Sequence, residues 1–203
     1  MCGIAGIIST SSEIDRMTSS IEVMRSSLSH RGPDSHGTYF CPSKQAALAH
    51  TRLSIIDLSA TANQPLSNDD GRYTISFNGE IYNYQSLRDQ LIALGYKFNT
   101  HSDTEVILHL FAEYGEQCVD HLRGMFAFGI WDQQSKTLFI ARDPLGIKPL
   151  YFWHDDQTYV FASEIKAIIA SGYSQQTLNS KGCLLYTSPS PRDQRGSRMP
   201  SSA

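Results

Sequence analysis

The sequence predicts an α+β layered domain, and three observations carry that prediction. Apolar residues recur at helical spacing in two regions, 13–28 and 87–114. A period-two segment at 73–78 and a cluster of short apolar runs from 125 to 162, two of them followed by polar turns, read as antiparallel strands. The 203 residues, 40% hydrophobic and 18% charged, suffice for one ordinary domain with a sizeable core. Helices gathered in some parts of the chain and strands in others define the class.

In chain order, Ile7 and Ile8 continue a short buried strand from the N-terminus. The glycines flanking Ile4 and Ala5 are expected to let the backbone pass close to a ligand. Glu13 to Leu28 follows as an amphipathic helix, with Ile14, Met17, Ile21, Met24 and Leu28 on one side. Ser29 to Asp34 is a loop punctuated by Gly32-Pro33. Short apolar stretches come next, around Thr38–Phe40 and Ala46–Leu53. After the Asp70-Gly71 turn, Tyr73, Ile75 and Phe77 alternate with Thr74, Ser76 and Asn78, the pattern of a half-buried strand.

Two helices follow. Leu87, Leu91 and Leu94 mark the first, closed by Gly95. The second starts at Ser102 or Asp103 and carries Val106, Ile107, Leu110, Phe111 and Tyr114 on one side. Ser102 and Glu105 have capping-box spacing, and Gly115 suits the C-terminal stop. The runs Met125–Trp131, Leu138–Ala141, Leu150–Trp153 and Tyr159–Ala162 read as strands covered on both faces. Glu164 to Ala170 adds a short helix.

Charge and composition exclude several classes. A net charge of −3 argues against nucleic acid as the main partner, and no apolar run approaches the ~18 residues a membrane span needs. No basic segment precedes an apolar one at the N-terminus, so no signal peptide is read. Cys2, Cys41, Cys118 and Cys183 are scattered without CxxC spacing, which disfavours a zinc site or disulfide framework and makes a reducing cytoplasm the expected location. The expected domain spans residues 2–180. From Lys181 onward the composition changes to Ser, Pro and Arg, with Lys181, Arg192, Arg195 and Arg198 against Asp193. Residues 181–203 read as a disordered tail and resemble translated sequencing-adapter read-through, so they are expected to be non-native. The native chain is expected to have continued past Gly182.

Chemistry is concentrated at the start. Cys2 directly follows the initiator methionine, so removing Met1 leaves a thiol and a free α-amine on one residue. An α-amine with an ordinary pKa near ~8 can accept a proton near neutrality, and the thiolate it generates is the reactive form of sulfur. Taken alone, Cys2 reads better as an ordinary small residue, and only the later residues reverse that. Cleaving a carboxamide also needs oxyanion donors, a substrate clamp and exclusion of water. Asn78, Gly79 and Glu80 sit where a strand is expected to end, and a side-chain amide beside a glycine N–H suits an oxyanion. Asn-Gly is equally a common hairpin dipeptide, although Tyr82 to Gln85 begin a helix rather than a returning strand. Arg52 could grip a carboxylate through its two-donor fork or form a surface ion pair with Asp57. Asp103 could receive an ammonium or simply cap its helix. Clamps of opposite sign would suit a free amino acid.

Five motifs then occur together: Cys2-Gly-Ile-Ala-Gly, Ser29-His-Arg-Gly-Pro-Asp34, Arg52-Leu-Ser-Ile-Ile-Asp57, Phe77-Asn-Gly-Glu-Ile-Tyr-Asn83 and Arg142-Asp-Pro-Leu-Gly-Ile-Lys-Pro-Leu-Tyr151. In this order they resemble the N-terminal glutaminase domain of glutamine-hydrolysing asparagine synthetases, class II glutamine amidotransferases. The resemblance covers about residues 1 to 180. It implies a four-layer αββα sandwich of the N-terminal-nucleophile hydrolase type. It also implies that Cys2 is the nucleophile and that Asn78 and Gly79 form the oxyanion hole. Arg52 would bind the glutamine carboxylate, Leu53, Ser54, Ile55 and Ile56 would line the pocket, and Glu80 and Asp103 would contact the amino end.

The family's second domain binds ATP through a Ser-Gly-Gly-rich loop, which this sequence lacks. The resemblance therefore implies no cofactor and no metal here, with ATP and Mg confined to a synthetase domain in the intact parent. The partners it implies are glutamine, that C-terminal domain and a second copy in a homodimer, with neither nucleic acid nor a membrane. Two other readings stand beside it. A relative could feed ammonia to another acceptor, such as a sugar acid in polysaccharide synthesis. A folded but inactive docking module has no need of a processed terminal thiol.

Overall fold

A computed structural model describes residues 1–11, 14–53 and 59–174 of the chain. The architecture follows from how two antiparallel sheets divide the apolar residues among three buried layers. The first sheet has the order β2-β3-β1-β9-β8, built from Ser35–Phe40 (β2), Ala46–Arg52 (β3), Gly3–Ser9 (β1), Thr158–Ala162 (β9) and Tyr151–His154 (β8). The second has the order β4-β5-β6-β7, from Leu66–Ser67 (β4), Tyr73–Ile81 (β5), Gly124–Asp132 (β6) and Thr137–Arg142 (β7).

Alternation along each strand sends side chains to opposite faces. On β1, Ala5 and Ile7 pack with Met17, Ile21 and Met24 of helix α1 (Ile14–Ser27) and with Ala167 and Ile168 of helix α5 (Ile165–Ala170). On β5, Tyr73, Ile75 and Phe77 pack with Leu87 and Leu91 of helix α2 (Tyr84–Ala93) and with Val106, Ile107 and Leu110 of helix α3 (Asp103–Tyr114). Between the sheets lie Ile4, Leu48, Ala127, Trp131 and Phe161. A helix layer outside each sheet completes the four-layer αββα sandwich. Each fully buried Ile, Leu or Phe in these layers contributes about 1.5–3 kcal/mol.

Two glycines let the sheets approach. A Cβ on Gly6 of β1 would collide with the ring of Phe161, and one on Gly129 of β6 would meet the same ring at 2.7 Å. The Phe161 ring fills the space that one glycine from each sheet leaves.

Several expectations change. β5 is buried on both faces: Thr74, Ser76 and Asn78 are 0–2% exposed and point at the first sheet, where Ser76 Oγ donates to the Ala49 carbonyl at 2.9 Å. Conversely β8, expected to be covered, is an edge strand with Phe152 64% exposed. Leu94 follows α2 as its exposed C-terminal residue rather than joining its buried face. Ser102 caps α3 by accepting from the Thr104 N–H at 3.2 Å, but the capping box does not close. Glu105 instead accepts from the Asn99 and Thr100 backbone, at 2.8 and 2.7 Å, and from Thr100 Oγ1. Glu13, Asp57 and the tail from residue 181 lie outside the described residues.

Candidate active site

The site forms where the inter-sheet layer meets the start of α3. Cys2 precedes β1, and its half-buried Sγ rests on the backbone that follows β3, accepting from the Leu53 N–H at 3.4 Å and lying 3.6 Å from the Leu53 carbonyl. Register explains the meeting: Gly3 pairs with Thr51, which places Cys2 opposite Arg52 and Leu53. Gly3 and Gly6 serve packing, not ligand approach. A Cβ on Gly3 would lie 2.6 Å from Thr51 Oγ1, and neither glycine lines the cavity beside Cys2.

That cavity has a volume of about 140 Å³. It is smaller than the ~300–1,000 Å³ of sites for drug-sized ligands. Met1, Cys2, Arg52, Leu53, Asn78, Gly79, Glu80 and Asp103 all line it. Every expected site residue that the structure describes is thus on one wall or another. Ser54, Ile55 and Ile56 lie outside the described residues.

Asn78, Gly79 and Glu80 are inside β5, not at a turn: they pair with Ala127, Phe126 and Met125 of β6, and pairing continues to Ile81. A Cβ on Gly79 would strike the Met125 carbonyl and approach the Phe77 ring at 2.6 Å, so only glycine fits beneath β6. Asn78 is 2% exposed, and its Nδ2 has no hydrogen-bond partner. A buried amide donor normally finds a partner, and an unpaired one costs about 1–3 kcal/mol. Asn78 also lines the cavity.

Arg52 is buried rather than on the surface. Its Nη1 donates to the Ser59 carbonyl at 2.8 Å and to Asn63 Oδ1 at 2.7 Å, which orients the guanidinium. Asp103 is not the helix cap, since Ser102 fills that place; its Oδ2 accepts from the Ile81 N–H at 3.0 Å and ties α3 to β5. Burial raises its pKa to about 6, against the hydrogen bonds from Ile81, Ser102 and Thr104 that favour the carboxylate. A cation arriving beside it would restore full ionisation.

Sequence reasoning missed Gln64, Thr104 and Lys148 on the same wall. Gln64 Oε1 accepts from the Phe77 N–H at 2.7 Å while its Nε2 donates to Thr104 Oγ1 at 3.2 Å, bracing β5 against α3. Lys148 is delivered by the last of the five motifs. The Asp143 carboxylate accepts from the backbone of Phe126, Ile147 and Lys148, while Arg142 donates to the carbonyls of Gly146 and Lys148. The motif's signal was visible, but spacing alone does not say which of its residues turns inward.

No histidine is among the described residues lining the cavity. His50 lies between the sheets, its Nε2 bonded to the Phe77 carbonyl at 3.1 Å, and burial depresses its pKa to about 3. The lining instead carries two cations, Arg52 and Lys148, and two carboxylates, Glu80 and Asp103, around a thiol and an unpaired amide. Such a wall suits a zwitterionic carboxamide, in an αββα sandwich that sets a thiol just ahead of β1.

The chain belongs to the glutamine amidotransferase domain family, whose match covers residues 1–197. It is 40% identical over 172 residues to asparagine synthetase [glutamine-hydrolyzing] 3 of Bacillus subtilis (strain 168), covering 84% of this chain and 28% of that relative. It is 44% identical over 177 residues to asparagine synthetase B [glutamine-hydrolyzing] of Escherichia coli (strain K12), covering 83% of this chain and 30% of the relative. Among solved structures it is similar to the glutamine phosphoribosylpyrophosphate amidotransferase of B. subtilis complexed with ADP and GMP. The TM-score is 0.67 and the identity 25%, over 84% of this chain and 44% of that one. The chain therefore spans under a third of the length of these asparagine synthetases.

Proposed function

We propose that the domain hydrolyses glutamine to glutamate and ammonia through a thioester on Cys2. The observation that carries this is the convergence of the Cys2 thiol, the unpaired Asn78 amide, Arg52 and Asp103 on one small cavity. With Met1 removed, the α-amine of Cys2 takes the thiol proton as sulfur attacks the side-chain amide carbon. Asn78 Nδ2 and the Gly79 N–H receive the oxyanion of the tetrahedral intermediate. The α-ammonium returns its proton to the leaving nitrogen, ammonia departs, and water hydrolyses the thioester to release glutamate. Arg52 holds the α-carboxylate through its planar fork, Asp103 and Glu80 meet the α-ammonium, and Leu53 borders the glutamine, as the resemblance implies also for Ser54, Ile55 and Ile56, which lie outside the described residues.

In an intact parent the ammonia would pass to an aspartyl-adenylate made by an ATP- and Mg-dependent synthetase domain. The names and greater lengths of the relatives support this reading. A reduced thiol fits the cytoplasm. Among the described residues, no helix is long and apolar enough to cross a membrane.

The test is glutamate and ammonia release from glutamine without ATP. Cys2→Ala should abolish it, while Cys41→Ala, Cys118→Ala and Cys183→Ala should not. Unchanged release from the Cys2 variant would end the proposal.

A further inference from the structure

One cation of the cavity wall has nothing to balance it. Lys148 lines the cavity beside Cys2 and is only 7% exposed. Among the described residues its ammonium has no hydrogen-bond or ion-pair partner. An ammonium withdrawn from water without a partner is costly, so buried charges are normally paired. The remaining charges of the wall have counterparts on glutamine: Arg52 suits the α-carboxylate, and Asp103 and Glu80 suit the α-ammonium. The side-chain carboxamide of glutamine is neutral. Bound substrate therefore leaves Lys148 unbalanced.

The fold brings Lys148 to the cavity from the side where the carboxamide reacts. Asn78 of β5, Ala127 of β6 and Arg142 of β7 pair in one row across the second sheet. They share the face that meets the first sheet, where Ala127 packs with Ile4 and Phe161. After Arg142 the chain turns back on itself. The Asp143 N–H donates to the Phe126 carbonyl at 2.8 Å, and Phe126 lies opposite Gly79. The Asp143 carboxylate then accepts from the Ile147 N–H at 2.9 Å and the Lys148 N–H at 3.0 Å. Gly146, at a φ of +63°, makes the turn, and Arg142 closes it by donating to the Gly146 and Lys148 carbonyls at 2.6 and 2.7 Å. Both backbone groups of Lys148 are thus held from the rows that contain Asn78 and Gly79.

We propose that Lys148 is a further catalytic residue whose ammonium receives the negative charge that develops on the side-chain carbonyl oxygen of glutamine. It meets that charge first in the tetrahedral intermediate and finally in the γ-carboxylate of glutamate. This rests on the glutaminase reading above. As the Cys2 sulfur attacks, the carbonyl π pair moves to oxygen. It returns when the C–N bond breaks and ammonia leaves with the proton of the α-ammonium. Lys148 gives up no proton. The same shift recurs when water attacks the thioester carbon, and the product retains a negative charge at that end. A cation that lacks a counter-charge with bound substrate but gains one in the transition state lowers the barrier, because only the second state is stabilised. The same property makes glutamate a better-matched ligand than glutamine.

The experiment compares Lys148→Met, which keeps the length and removes the charge, with Lys148→Arg, which keeps the charge. Ammonia release from glutamine gives kcat and KM, and added glutamate gives its inhibition constant. Lys148→Met should lower kcat about 10²-fold, with KM for glutamine within about threefold of the parent. It should also raise the glutamate inhibition constant about 10–10²-fold. Lys148→Arg should recover most of both. Because the substitution removes an unpaired buried charge, Lys148→Met should melt no lower than the parent without ligand. A lysine with a merely structural role would show the reverse, a lower melting temperature with glutamine and glutamate affected alike. Parental kcat and glutamate inhibition in Lys148→Met would overturn the proposal, as would a loss confined to KM or a variant that fails to fold. Calorimetric titration of Cys2→Ala and Cys2→Ala/Lys148→Met with glutamine and with glutamate needs no turnover. Glutamate weakened with glutamine unchanged supports the role of Lys148, and equal effects on both contradict it. An unsubstituted protein that releases no ammonia would instead defeat the glutaminase reading, and the titrations would still decide whether Lys148 meets the γ-carboxylate.

Discussion

Replacing Asn78 with alanine tests the oxyanion assignment, because the structure sets its effects on rate and on stability apart. Asn78 is 2% exposed and lines the cavity, and its Nδ2 is buried without a partner. In the resting protein that unpaired donor costs about 1–3 kcal/mol, which truncation removes. Truncation also forfeits packing between the sheets, a cost of similar size for so small a side chain. The two effects oppose each other, and for a domain of this length a residual of ~1 kcal/mol moves the melting temperature only about 2–4 °C. The rate effect has no such offset. Losing one oxyanion donor costs about 2.7–4 kcal/mol of transition-state stabilisation, or roughly 10²–10³ in kcat. KM should change little, because the amide acts only once charge develops. The assay is coupled detection of glutamate release under saturating glutamine, with a thermal melt of the same sample. A folded variant with parental kcat would refute the assignment, and so would a loss carried entirely by KM.

Arg52→Lys keeps a charge but loses the planar guanidinium, whose Nη1 is held by Ser59 and Asn63, so the two-donor grip on a carboxylate goes and KM should rise well above tenfold, with kcat less affected. Initial-rate kinetics decide, and parental KM would remove Arg52 from the glutamine site. Asp103, raised to about 6 by burial, binds a proton more tightly when folded than its ordinary 3.8. Its ionisation therefore destabilises the fold above about pH 6, and the penalty fades as pH falls toward 4. Asp103→Asn should accordingly melt higher than the parent at pH 8, by at most roughly 3 kcal/mol, and converge with it near pH 4. The parental KM for glutamine should fall as pH rises through about 6, a dependence that the variant lacks.

The layers were legible wherever a residue pattern has one physical meaning. The three- and four-residue steps of Ile14 to Leu28 could only be one apolar helix face, and Ser102-Asp103 ahead of an apolar run marks a helix start. The polar residues of β5 misled because alternation normally marks a wet face. Here Thr74, Ser76 and Asn78 face another sheet, and hydrogen bonds such as Ser76 to Ala49 make that tolerable. β8 misled in the opposite sense, because an apolar strand at an edge reads the same as one inside. Cys2, Arg52, Asn78 and Asp103 were each named for a chemical reason, and all four line one cavity. Gln64 and Lys148 were not, because register and loop path bring them to the cavity: which backbone lies across from which.

The central claim is that the α-amine of Cys2 is the catalytic base, and the state of the N-terminus tests it most directly. Met1 lines the cavity and, while attached, turns that amine into an amide nitrogen that cannot accept a proton near neutral pH. No cavity histidine among the described residues stands ready to replace it. A protein carrying an uncleavable N-terminal tag should therefore melt as the untagged one does yet release no ammonia from glutamine, while the untagged protein's intact mass shows a chain beginning at Cys2. A tagged protein that is folded and as active as the untagged one would contradict the account.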